Sequence, residues 1–220
     1  MAERVIPAEA ALLGDVGVTA IRLLSLGAIS VETERTYTWS SGIEAPIYSD
    51  MRLIISDVES RRRIADLLTY KVVALGEIDG IAGTATSGIP HAALVADRLR
   101  LPMVYVRNQV KDHGKKNQIE GRVNEGQRFV IIEDLISTGG SSIGSAEALR
   151  DAGAICEDVV AIFDYKFPIS QENARKAGLS FNSLTNFPVV MDVAKRNGQW
   201  NNKQIEIVTA WYQDPMNWRK

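Results

Sequence analysis

Only one cysteine, Cys156, and two histidines, His91 and His113, occur among the 220 residues. A single thiol excludes an internal disulfide and leaves no thiolate set for structural zinc; its expected place is the core, as a small hydrophobe. No apolar run approaches the roughly 18 residues that span a bilayer. The longest, such as Val104 to Val106 and Phe129 to Ile132, have the length of strands. The opening Met1-Ala2-Glu3-Arg4-Val5 carries no signal-peptide hydrophobic region. A basic surplus is missing too: 25 Lys and Arg stand against 27 Asp and Glu, for a net charge of -2. Dedicated nucleic-acid binders need cations for phosphate, so that class is disfavoured. These absences lead us to expect a soluble, cytoplasmic protein with no nucleic-acid or membrane partner.

What is present suffices for a real core: 45% of the residues are hydrophobic and 24% charged, the proportions of an ordinary globular domain. Apolar spacing predicts a first helix over Glu9 to Leu26, stopped by Gly27. Thr36 to Ser40 and Ala45 to Met51 read as two short strands around Ser41-Gly42. Asp57 is a plausible N-cap for a helix through Leu75. Strands then alternate with helices: strand Ile78 to Ala85, helix Ile89 to Leu99, strand Met103 to Arg107, a polar stretch Asn108 to Gln127, strand Arg128 to Leu135, helix Ser141 to Ala152, strand Ile155 to Tyr165. Such alternation implies βαβ units and a mostly parallel sheet flanked by helices. The expected organisation is one α/β domain over 1–220, with a core of 57–167 and a small hood from 1–56 and 168–220.

The most informative run is Glu133-Asp134-Leu135-Ile136-Ser137-Thr138-Gly139-Gly140-Ser141-Ser142, at the end of the apolar strand Phe129 to Ile132. Ligands of open α/β sheets bind beyond the carboxyl ends of the strands. Glycines let the backbone approach an anion, and the first amides of a helix present the positive end of its dipole. The turn therefore suits a phosphate, with hydroxyls from Ser137, Thr138, Ser141 and Ser142. Two carboxylates beside it make sense as holders of ribose hydroxyls or of a hard cation such as magnesium.

Two further stretches suit anions. Arg107 to Lys116 holds four basic side chains and His113 with almost no apolar content, the composition of a mobile loop that folds over a polyphosphate. Gly83-Thr84-Ala85-Thr86-Ser87-Gly88 places a second small-residue turn between a strand and a helix. His91, in that helix's first turn, reads as a packed or surface residue more than a catalytic one. Two anion-suited turns and a basic loop suggest a ligand phosphorylated at both ends.

Familiar phosphate and nucleophile motifs fail. No Gly-Lys-Ser/Thr triplet of a Walker loop exists. Gly140-Ser141-Ser142-Ile143-Gly144 fits the nucleophile-elbow pattern, yet Ser137 to Gly139 separate it from its strand and no histidine follows Ser142.

The Glu133 to Ser142 run resembles the phosphoribosyl-diphosphate (PRPP) motif of type I phosphoribosyltransferases. Lys111-Asp112-His113-Gly114 is similar to the catalytic loop of the orotate-specific branch, and Tyr37-Thr38-Trp39-Ser40-Ser41-Gly42 through Pro46-Ile47-Tyr48 to its N-terminal substrate region. The resemblance implies transfer of a 5-phosphoribosyl group from PRPP to orotate with Mg2+, in pyrimidine synthesis. It implies that Ser137 to Ser141 cradle the 5-phosphate, that Glu133 and Asp134 contact the ribose hydroxyls, and that Leu135 and Ile136 complete the binding run. Thr86 and Ser87 would face the diphosphate, Arg107 would bind it, and Lys111 and His113 would reach it from the partner in a homodimer. Catalysis would rest on Lys111, His113, Arg107 and Asp134, with no metal ligand directly assigned. Ser40, Asn108 and Tyr165 stand where the family often has lysine, lysine and arginine. A purine phosphoribosyltransferase and a non-catalytic PRPP-sensing regulator are the alternatives; the second would need a basic face, which the net charge does not favour.

Overall fold

A computed structural model describes residues 14–39, 41–107 and 118–218. The elements are α1 (Gly14–Ser25), β1 (Ile29–Val31), β2 (Tyr37–Thr38), β3 (Glu44–Ala45), β4 (Ile47–Ser49), α2 (Leu53–Ser56), α3 (Val58–Val73), β5 (Gly80–Thr84), α4 (Gly88–Leu99), β6 (Met103–Val106), β7 (Ile119–Glu120), β8 (Arg128–Ile136), α5 (Gly140–Asp151), β9 (Ile155–Asp164), α6 (Pro168–Lys176), β10 (Ser180–Asn186), α7 (Phe187–Arg196) and α8 (Asn202–Gln213). They fall into two compact units, Val58–Leu184 and the remainder.

The larger unit is built on a six-stranded sheet of order β10-β9-β8-β5-β6-β7. β6, β5, β8 and β9 run parallel, as the βαβ alternation predicts, and β7 pairs antiparallel to β6. The apolar strand runs are buried on both sides, which is what a parallel sheet covered by helices demands. Side chains alternate between the faces. Phe129 and Ile131 of β8 and Val159 and Ala161 of β9 pack in one cluster with Ala146 and Leu149 of α5. On the opposite face α4 lies against β5 so closely that a Cβ on Gly83 would meet Ala92 and the backbone of Ile89 at 3.0 Å.

The smaller unit joins the N-terminal elements to α7 and α8. β1 pairs antiparallel with β4, and β2 with β3. Trp211, fully buried on α8, donates from Nε1 to Glu44 O at 3.0 Å, and Trp39 donates to Ile47 O at 3.2 Å. The two indoles meet edge to face, 5.5 Å between centroids, the geometry that aromatic quadrupoles favour. Asn201 and Gln204 form a reciprocal cap at the start of α8.

The structure differs from the sequence reading in several places. The segment 168–184, assigned to the hood, lies in the larger unit, where β10 joins the sheet beside β9. The predicted strand over Ala45 to Met51 is split at Pro46 into the end of β3 and all of β4, because proline cannot donate to a ladder. The polar stretch 108–127 contains the short β7, and α5 begins one residue early, at Gly140.

Candidate active site

The carboxyl ends of β5, β6, β8 and β9 bring the singled-out residues to one edge of the sheet. β8 ends at Ile136, and Ser137, Thr138 and Gly139 turn the chain into α5. The turn needs a residue with left-handed backbone. Gly139 has φ +85°, and a Cβ there would lie 2.6 Å from the Phe181 ring, so only glycine fits. Behind the turn, Asn173 of α6 donates from Nδ2 to Thr138 O at 3.1 Å. One face of the turn is thus braced by Phe181 and Asn173, while Gly140 and Ser141 remain exposed at the start of α5. That leaves the first amides of a twelve-residue helix open to an anion.

The two carboxylates before the turn differ. Glu133 is 4% exposed; Ser142 Oγ donates to its Oε2 at 3.1 Å and the Asp134 amide to its Oε1 at 3.2 Å. Burial above all, then the neighbouring Asp134 charge, holds the Glu133 carboxyl well above the usual carboxylate range. Asp134 is half-buried, with its carboxyl close to that of Glu133. Among the described residues no cluster of three or more His, Cys, Asp or Glu could hold a metal ion. A hard cation carried by a diphosphate fits Asp134 as an oxygen donor better than it fits the inward-turned Glu133.

On the adjacent β5, Thr84 is buried and accepts a hydrogen bond from Ser145 of α5 at 3.3 Å. Ala85, Thr86 and Ser87 form the turn into α4, with Thr86 exposed and the Ala85–Thr86 peptide cis. A Cβ on Gly88 would meet Ile132 O at 2.5 Å, so glycine lets this second turn sit against β8. Arg107 follows β6, and its Nη1 lies 3.6 Å from Glu120 Oε1. Lys111, His113 and Asn108 lie outside the described residues, as does Ser40.

Family comparisons agree with this arrangement. The model of the phosphoribosyl transferase domain matches residues 55–178. The orotate phosphoribosyltransferase of Enterococcus faecalis is 46% identical over 90% of this chain and 95% of its own length. That of Listeria monocytogenes (serotype 4b) is 44% identical over 91% and 97%. This chain belongs to the orotate phosphoribosyltransferase family. Among solved structures, the orotate phosphoribosyltransferase of Aeropyrum pernix superposes with a TM-score of 0.71 at 30% identity, covering 83% of this chain and 99% of that one. UMP synthase of Leishmania donovani superposes at 0.77 with 25% identity; 91% of this chain covers 42% of that longer one.

In this orotate phosphoribosyltransferase family member, His91 takes the packed position expected of it, Tyr165 is the expected departure, and only Lys166 escaped the sequence reading. His91 is fully buried, neither ring nitrogen has a hydrogen-bond partner among the described residues, and burial pulls its pKa down to about 4. It shares a helical face with the buried Ala92, Val95 and Ala96, a spacing that marks it as a core position. Tyr165, where an arginine is frequent in the family, is 1% exposed and packs between Phe163 and Phe167. It continues the apolar run of β9 and contributes no cation. The cation stands one residue later. Lys166 adopts φ +58°, its amide donates to Asp164 Oδ1 at 2.6 Å, and its Nζ makes an ion pair of 2.8 Å with the fully buried Asp164 carboxylate.

Among the described residues no helix is long and apolar enough to cross a membrane. Cys156 is buried, and burial pushes its thiol up to about 12, which makes it inert as a nucleophile.

Proposed function

We propose that this protein transfers the 5-phosphoribosyl group of PRPP to orotate, giving orotidine 5'-monophosphate and diphosphate in UMP biosynthesis. The observation that carries the reading is the pairing of two anion-suited turns on neighbouring strands, Ser137 to Ser141 after β8 and Thr86-Ser87 after β5, with Asp134 beside the first. Relatives at 44–46% identity named for that reaction supply the acceptor.

The 5-phosphate takes the amides at the start of α5 and the hydroxyls of Ser137, Thr138 and Ser141, with Gly139 and Gly140 allowing close approach. Leu135 and Ile136 carry the strand into that turn. Asp134 holds the ribose hydroxyls, and Glu133, held by Ser142, sets the backbone from which Asp134 projects. Thr86, Ser87 and Arg107 take the diphosphate. Lys111 and His113 reach it from the partner subunit of a homodimer.

Displacement at the anomeric carbon builds positive charge on the ribose ring and negative charge on the departing diphosphate. Mg2+ bound with the diphosphate supplies charge neutralisation there. Arg107 and Lys111 add fixed positive charge where the negative charge grows, which lowers the barrier most in a site closed to water. His113 binds the departing diphosphate or gives it a proton. No step needs a covalent nucleophile. A cytoplasmic location suits these charged, soluble substrates.

The test is a panel assay with purified protein, Mg2+ and PRPP. Orotate, adenine, guanine and xanthine are supplied separately, and diphosphate release is followed. Release with orotate alone is expected. Release with a purine alone would move the chain to the purine branch, and absence of release with every base, with PRPP still bound, would favour the regulator.

A further inference from the structure

Arg107 and Glu120 flank residues 108–117, and the strands that carry them are locked in register. β6 and β7 pair antiparallel with Tyr105 opposite Glu120 and Val106 opposite Ile119. One step further, Arg107 N donates to Gln118 O at 2.9 Å and Gln118 Nε2 to Arg107 O at 3.4 Å. Residues two apart on a strand share a face. Arg107 and Glu120 are therefore diagonal neighbours across the ladder, a separation that long side chains bridge. Arg107 Nη1 lies 3.6 Å from Glu120 Oε1, with each side chain 31% exposed. Val106 and Ile119, between them in the ladder, point into the core.

This ion pair is loose. At 3.6 Å it is longer than a charge-assisted hydrogen bond, and a partly exposed pair adds little to stability. The ladder itself is already fixed by its backbone bonds and by Gln118. A guanidinium offers five N–H donors in a planar fork that fits phosphate oxygens better than one distant carboxylate oxygen.

We propose that Glu120 is an internal competitor of diphosphate for Arg107. It holds the guanidinium at the carboxyl edge until phosphate oxygens arrive, and gives it up when they do. The inference rests on Arg107 as a diphosphate ligand, as proposed above, and adds the residue that sets how strongly Arg107 binds.

The competition has a sign that a purely structural role would not produce. Removing the Glu120 charge frees Arg107 and tightens diphosphate binding, whereas damage to the ladder would weaken it. Inorganic diphosphate with Mg2+ is titrated calorimetrically into the full-length wild type, Glu120→Gln, Arg107→Gln and the double variant, with thermal melts confirming that each is folded. Glu120→Gln should bind diphosphate about two- to fivefold more tightly, the weight of one partly exposed ion pair. Arg107→Gln should bind it more weakly, and the gain from Glu120→Gln should vanish in the Arg107→Gln background. Unchanged or weaker binding by Glu120→Gln overturns the proposal. So does a gain that persists without Arg107, which would make Glu120 a source of general repulsion. Unchanged binding by Arg107→Gln would overturn instead the reading of Arg107 as a diphosphate ligand.

Discussion

Ser142 Oγ donates to Glu133 Oε2 across 3.1 Å, tying the first turn of α5 to the strand end that carries Asp134. The bond lies behind the phosphate-suited turn, so it fixes the angle at which β8 hands over to α5. Ser142→Ala leaves a buried carboxylate oxygen without this donor. The expected cost is about 1–3 kcal/mol, read as a lower urea midpoint, together with a raised KM for PRPP. A variant as stable as the wild type would remove the bond from the account.

Glu133 also sets a pH dependence. Burial, with Asp134 adding to it, raises its carboxyl well above the usual range, so the folded chain favours the protonated form more than the unfolded chain does. Its contribution to stability is therefore best at low pH and is lost as pH rises from the usual carboxylate range through the raised value. Glu133→Gln removes that loss. Its stability relative to the wild type should climb between pH 4 and pH 8 in urea unfolding; a flat difference would contradict the assignment.

His91 acts with the opposite sign. Its pKa is lowered to about 4 by burial, so the unfolded chain takes up the proton first. Stability linked to His91 is fully present above about pH 6.5. It falls by about 3 kcal/mol as pH drops to about 4. His91→Leu should flatten this fall, and unfolding curves at pH 7, 5.5 and 4.5 measure it. An undiminished acid loss in the variant would place the titration elsewhere.

Gly139 combines φ +85° with a ring 2.6 Å from any Cβ. Gly139→Ala should cost about 2 kcal/mol or more and weaken PRPP binding, because Phe181 and the turn cannot both stay in place. Calorimetric PRPP titration beside a thermal melt checks both effects, and normal affinity would show that the turn does not hold the phosphate end.

Much of this was legible in the sequence, for physical reasons that differ by residue. The apolar runs of β5, β8 and β9 announce buried parallel strands, and the Ser137 to Ser142 turn announces itself because glycines and hydroxyls have no core to fill. β10 was hidden. Its sequence Ser180-Phe181-Asn182-Ser183-Leu184-Thr185-Asn186 is too polar for a strand pattern, and only Phe181, Leu184 and Thr185 are buried. The difference between Glu133 and Asp134 was invisible too, because two adjacent carboxylates read alike and the partner that holds Glu133, Ser142, lies nine positions on. Lys166 was overlooked for a similar reason: its left-handed backbone is held by Asp164, a contact that residue types alone do not announce.

Orotate transfer under a basic loop is tested by the rate of orotate absorbance loss with PRPP and Mg2+, for the wild type and for Lys111→Ala. The account predicts PRPP-dependent loss in the wild type and a rate lower by about 100-fold or more in the variant, the weight of one charge-stabilising donor in a closed site. Mixing Lys111→Ala with Asp134→Asn should restore part of the rate through hybrid dimers. No orotate loss in the wild type would contradict the activity, and a normal rate in Lys111→Ala would contradict the role given to the loop.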